Sequence, residues 1–226
     1  MGLLSLEHSR AMYRADLFLY GTLVIVLLIF LLAASPRALA LQLVSLAVVG
    51  LASWTVIEYA LHRFVLHGMP PFRRWHAQHH RRPSALIGAP TLMSSLLIAM
   101  LVFIPSLALA GPWRACALTL GVSVGYLVYA LTHHALHHWH ADNAWLQRRK
   151  RWHAQHHHVA PAVCYGVTTS FWDALFGTAG APRLPTRERL TLHRREQTTP
   201  VVRFPTRADS ADPAEGVPPR VAESLS

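Results

Sequence analysis

The sequence predicts an all-α integral membrane protein, with about four transmembrane helices under a cytoplasmic, histidine-rich helical cap. Three observations predict it. The 226-residue chain is 52% hydrophobic and only 14% charged, and its apolar residues run in long blocks rather than in amphipathic stripes. Histidine is concentrated, with 14 of its 16 copies between His62 and His158. A seven-residue phrase also occurs twice: Arg74-Trp75-His76-Ala77-Gln78-His79-His80 returns as Arg151-Trp152-His153-Ala154-Gln155-His156-His157.

Residues 1–15 form a polar N-terminal segment carrying Arg10 and Arg14. Residues 17–34 are an unbroken apolar block, about 27 Å long as a helix at ~1.5 Å per residue. Ala38-Leu39-Ala40 imitates a signal-peptide cleavage site. The block exceeds the ~7–15 residues of a signal core and a second apolar segment follows at once, so a retained first span is expected. Ser35-Pro36-Arg37 turns the chain, and residues 38–60 make the second span, which runs into His62-Arg63-Phe64-Val65-Leu66-His67. Residues 68–86 are polar and basic and hold the first triplet. Residues 87–110 and 113–131 are apolar again, separated by the turn signal Gly111-Pro112. They read as a helical hairpin, with a re-entrant pair as the alternative. The membrane-embedded domain is expected over 16–180. Residues 181–226 hold seven prolines and scattered charge, which predicts a disordered tail.

Charge orients the spans. The segments 1–15, 63–82 and 148–151 carry eleven basic residues, against Arg37 and Arg114 on the opposite side. The positive-inside rule puts both termini and the clustered histidines in the cytoplasm, and a bacterial-type inner membrane is the expected location. The same count accounts for the net charge of +10 without a nucleic-acid partner. Cys116 and Cys164 lack metal-site spacing and a disulfide signature, so packing roles are expected.

The histidines form four clusters: His62 and His67; His76, His79 and His80; His133, His134, His137 and His138; and His153, His156 and His157. One histidine is more often a bystander than a ligand. A whole set placed where helices leave the bilayer points to function. Positions i, i+3 and i+4 share a helix face, so each triplet is expected to project its imidazoles one way, and two facing triplets make a metal-holding device. Each half of the chain repeats span, pair and triplet. About ten imidazoles exceed the four ligands of a structural zinc and suit two metals with four or five nitrogens each. Iron, zinc, copper and nickel all accept imidazole. Neutral imidazole is the binding form, so metal should be lost on acidification. Spacing leaves His133/His137 and His134/His138 open as alternative ligand pairs.

Other residues carry smaller expectations. Glu58, one turn before His62, either orients a ligand imidazole or pairs with Arg63 or another arginine. Asp173 either plays a similar role or caps a short helix. His134, His138 and His158 would hydrogen-bond behind the ligands, with His140 and His158 equally readable as bystanders. Trp75 and Trp152 fit the membrane interface, and Arg74 and Arg151 fit lipid phosphates. His8 and His193 read as solvated.

The phrases Glu58-Tyr59-Ala60-Leu61-His62-Arg63-Phe64-Val65-Leu66-His67, Thr132-His133-His134-Ala135-Leu136-His137-His138 and Gly166-Val167-Thr168-Thr169-Ser170-Phe171-Trp172-Asp173-Ala174-Leu175-Phe176-Gly177-Thr178 resemble the fatty acid hydroxylase/sterol desaturase superfamily. Within it the resemblance is to the fatty acid 2-hydroxylase branch, over about residues 50–180. It implies a membrane di-iron oxygenase, in which zinc can substitute, that uses O2 to attack an unactivated C–H bond of a lipid, a fatty acyl chain above all. The implied ligands are His62, His67, His76, His79, His80, His133, His137, His153, His156 and His157. Without a cytochrome b5-like segment beside the motifs, the resemblance implies a separate electron donor of cytochrome or ferredoxin type. Alternatives are a desaturase or a carotenoid- or sterol-type hydroxylase, and, outside enzymes, a membrane protein that binds or transports divalent metal. Histidines on one side and spans nearly free of charge weigh against transport.

Overall fold

A computed structural model describes residues 7–88 and 90–180. The expected tail at 181–226 and His193 lie outside the described residues. The described chain is helical, and its one β feature is the isolated antiparallel bridge Glu7–Ile87. Four helices are long and apolar enough to cross a membrane: Arg10–Ala34, Arg37–Leu66, Thr91–Ala110 and Pro112–His138. The first is α1. The second comprises a short 3-10 turn, α2 (Ala40–Ala60) and a π-helical end, Leu61–Leu66. The amphipathic α3 (Phe72–Arg81) follows outside the spans. The third span is α4 (Thr91–Ile98), a π turn and α5 (Ile104–Ala110); the fourth is α6 (Pro112–His138). Then come α7 (Ala144–Ala154), a second π end at Gln155–Val159, and the short α8 (Phe171–Leu175).

The centre of the fold is the crossing of α2 and α6, and small residues make it. A Cβ on Gly50 would lie 2.4 Å from the Leu118 carbonyl oxygen, and one on Gly121 would lie 2.0 Å from that of Ala47. The two backbones therefore touch, as in small-residue packing between membrane helices. Trp54 seats on Gly125, where a Cβ would meet its side chain at 2.4 Å. Tyr20, Trp54, Ile98, Val122 and Tyr126 pack around this point. Outward residues such as Phe18, Leu32, Leu41, Leu101 and Leu109 stay exposed, as lipid-facing side chains do. The close crossing brings the histidine-bearing ends of α2 and α6 together at one end of the bundle.

Candidate metal centre

The ten histidines converge into two groups of five. His62, His67, His76, His80 and His156 form the first, and His79, His133, His137, His153 and His157 the second. Within each group one ligand atom per residue lies within 4.8 Å of the others. Local geometry explains the pairs. Five residues of α-helix would swing a side chain about 140° past a full turn, which would separate His62 from His67. The π end of the second span corrects this: the His67 amide donates to the His62 carbonyl at 3.2 Å, an i→i+5 bond that returns both rings to one face.

The triplets do not project one way as expected. In α3, His76 and His80 join the first group while His79 crosses to the second. In the repeat, His153 and His157 join the second group while His156 crosses to the first. On an α-helix, i+4 lies about 40° beyond i, whereas i+3 lies about 60° behind it. A helix wedged between two centres therefore aims its middle histidine at the far one. Each half of the duplicated plan supplies four nitrogens to its own group and one to the other.

Hydrogen bonds set the tautomers. His62 Nδ1 lies 2.5 Å from the Tyr165 carbonyl oxygen, and His156 Nδ1 lies 2.8 Å from that of Val163. A carbonyl only accepts, so both Nδ1 atoms carry the proton and both Nε2 atoms offer lone pairs. Burial, reinforced by neighbouring imidazoles, holds His67 and His79 down to about 3 and His80 down to about 4. Burial likewise holds His156 at about 4 and pushes His76, His153 and His157 well below the usual range. These rings are neutral at pH 7, the form that binds metal.

The donor set fits metal ions. Facing Nε2 atoms are 3.0 Å apart for His62–His76 and for His67–His156, 3.1 Å for His76–His80 and His79–His133, and 2.9 Å for His137–His153. An ion about 2.1 Å from each imidazole nitrogen sets ligands at right angles about 3.0 Å apart. The clusters can bind metal.

The residues expected behind the ligands divide. Glu58 hydrogen-bonds to no histidine and forms no salt bridge with an arginine among the described residues, though Arg149 acts on it electrostatically. Its carboxylate accepts from the Val167 and Thr168 amides at 2.6 and 2.9 Å and from the Thr168 hydroxyl. Asp173 is fully buried inside α8 rather than at its cap. It accepts from the Tyr165 and Gly166 amides at 2.9 and 2.8 Å and from the Thr178 hydroxyl at 2.8 Å. Buried Arg149 donates to the Gly166 carbonyl at 3.2 Å. The two carboxylates and this guanidinium shape the 163–168 loop, whose carbonyls hold His62 and His156. Sequence reasoning missed this arrangement, because a backbone carbonyl leaves no mark on the residue that carries it. His134 and His138 stack on each other at 4.5 Å, outside both groups. His158 and His140 are exposed, as are Arg74 and Arg151, and Trp75 and Trp152 are half-buried. His8 is buried, correcting the solvated reading. Cys116 and Cys164 are buried free thiols.

A cavity of about 150 Å³ opens beside both groups, lined by His76, His79, His133 and His137 and by Tyr129 and Met93. It lies between the histidine ends and the spans. Residues 47–178 match the family model described as fatty acid hydroxylase. The chain belongs to the fatty acid hydroxylase family. It is 34% identical over 140 residues to the dihydroceramide fatty acyl 2-hydroxylase FAH2 of Arabidopsis thaliana, covering 57% of this chain and 58% of that one. It is 35% identical over 147 residues to the ceramide very long chain fatty acid hydroxylase scs7 of Schizosaccharomyces pombe, covering 59% and 42%. Among solved structures, one described as full-length scs7p with only the hydroxylase domain visible superposes with a TM-score of 0.68. That pair is 26% identical, covering 80% of this chain and 70% of that one. The chain thus spans little more than half the length of the first of these relatives. Relatives from plants, fungi and mammals support an integral membrane protein and lend nothing to a bacterial-type inner membrane.

Proposed function

We propose that this protein is an O2-dependent, non-haem di-iron hydroxylase of lipids, acting on a fatty acyl chain, with residues 16–180 as its hydroxylase domain. The observation that carries the reading is one apolar-walled cavity bordered by both five-histidine groups. Family membership and the printed activities of the relatives support it. The balance is R–H + O2 + 2 e⁻ + 2 H⁺ → R–OH + H2O, with the electrons delivered by a separate donor of cytochrome or ferredoxin type.

The ten histidines named above would hold two irons, which supply O2 activation and cleavage of an unactivated C–H bond when bound. The chain supplies the rest. The Tyr165 and Val163 carbonyls keep the protons of His62 and His156 on Nδ1 and aim Nε2 inward. Each group would hold its ion through five imidazole nitrogens. Leu66, Phe72, Leu86, Ile87 and Met93 line the cavity beside the histidines, excluding water and offering an acyl chain a dry path from the bilayer. The excess of arginine beside the histidine end supports a cytoplasmic orientation.

The test is lipid mass spectrometry under ¹⁸O2 of cells expressing the intact protein or His153→Ala, with iron and a reductase supplied. Lipids carrying one labelled oxygen only with the intact protein are expected. Lipids lacking two hydrogens would instead assign desaturation, and identical lipidomes would overturn the reading.

A further inference from the structure

One carboxyl group lies in the cavity wall without serving the histidines or the 163–168 loop. Asp16 sits in the second turn of the spanning helix α1 and is only 9% exposed. It lines the same cavity as His76, His79, His133 and His137. Its Oδ1 is buried with no hydrogen-bond partner among the described residues. The Thr91 and Tyr126 side chains lie within hydrogen-bonding reach of the carboxyl group and the His8 imidazole acts on it electrostatically. None of them is partnered to Oδ1, and no salt bridge to Asp16 forms among the described residues. Spacing explains its direction: Tyr13, Asp16 and Tyr20 are at i, i+3 and i+7 and share one face of α1. That face meets α6, with Tyr20 4.2 Å from Tyr126 and Tyr13 5.1 Å from His134 between ring centroids. Tyr20 is satisfied, donating to Ser94 at 2.8 Å. On this face of α1, the acceptor left over is Asp16 Oδ1.

An ionisable side chain within a membrane span is costly, and such residues face a bundle interior or a cavity with a functional partner. A buried acceptor without a donor costs about as much as a lost hydrogen bond. In either protonation state a carboxyl keeps an acceptor lone pair. Apart from Asp16 and the histidines, the wall is aromatic and aliphatic, suited to a lipid chain.

We infer that Asp16 is a specificity-determining residue: its Oδ1 accepts a hydrogen bond from a hydroxyl or amide N–H of the lipid in the cavity, and so selects lipids that carry such a donor near the reacting chain. This rests on the lipid-hydroxylase reading for the occupant, and its first test requires no turnover.

The experiment is competitive native mass spectrometry of the metal-loaded, full-length protein in detergent. The probes are an N-acyl lipid amide with free hydroxyls, its O-methyl ether, its N-methyl amide and a free fatty acid. The intact protein should prefer the hydroxylated amide over whichever methylated analogue lacks the recognised donor by about 10- to 100-fold, and that arm identifies hydroxyl or N–H as the donor. Asp16→Leu should bind the two alike. Asp16→Asn, which keeps an acceptor oxygen, should retain part of the preference, reduced at least threefold. Metal content should be unchanged in both, since neither alters a histidine. An intact protein without preference overturns the inference. So does an undiminished preference in Asp16→Leu, or in Asp16→Asn should the leucine variant not fold. Selective binding with no oxygenated product from any lipid would refute the hydroxylase reading and leave this assignment standing.

Discussion

Asp173→Asn tests whether the 163–168 loop controls one metal group and not the other. The wild-type carboxylate receives the Tyr165 amide and the Thr178 hydroxyl on Oδ1 and the Gly166 amide on Oδ2. An asparagine has one acceptor oxygen. Whichever way its amide is turned, an NH2 group faces either the Tyr165 or the Gly166 N–H, and a buried donor loses its partner. That costs about 1–3 kcal/mol. The turn cannot relax by shifting Gly166, whose α-carbon is so enclosed that a Cβ there would lie 1.9 Å from the Thr169 carbonyl oxygen. The loss falls on the turn that presents the Tyr165 carbonyl to His62, so metal affinity of the first group should fall about 10- to 100-fold. Chelator competition with metal quantification is expected to show one site released early and the other unchanged. Glu58→Gln is the internal contrast: its amide can keep both backbone donors on oxygen while the NH2 turns to the Thr168 hydroxyl, which can accept. It should cost several-fold less. Equal weakening of both sites by Asp173→Asn, or a larger effect from Glu58→Gln, would refute the reasoning.

The other predictions follow from the same geometry. His79→Ala should weaken the second site although His79 belongs to the first triplet, and His156→Ala should weaken the first; two-step metal titration of each variant distinguishes this crossed pattern from the uncrossed one. Gly121→Val should force α2 and α6 apart, because its Cβ would lie 2.0 Å from the Ala47 carbonyl oxygen. A cost of at least about 1–3 kcal/mol is expected, read as a lowered melting temperature in detergent; unchanged melting would contradict the close crossing. Acid should destabilise the metal-free protein. His67 and His79 at about 3 and His80 and His156 at about 4 lie below the ~6.5 of an unfolded histidine. The unfolded chain therefore binds more protons below about 6.5, so the stability of neutral burial is complete above that pH and is lost as pH falls toward 4. A melting temperature that stays flat between pH 7.5 and 5 would refute this.

Much of this molecule was written in one dimension. Long apolar blocks specify spans, because a bilayer admits only helices that satisfy their own backbone. The histidine clusters were legible because imidazoles at span ends have few uses besides metal, while the choice of His133 and His137 over His134 and His138 came only with the family resemblance. Their partition was not. Spacing within α3 says which rings share a face, but which centre His79 meets depends on how α3 wedges between the ends of α2 and α6. That depends on the Gly50–Gly121 crossing, a contact between residues 71 positions apart. Asp16 stood at the edge of an apolar block and His8 in a polar segment, and neither carries a local pattern; only the packing of α1 on α6 and the His8–Leu86 backbone bond turned them into cavity wall. Asp173 and Glu58 were visible as acids near the motifs. Their role came from backbone amides and carbonyls of a loop folded back between them, groups that every residue possesses and that only tertiary structure can aim.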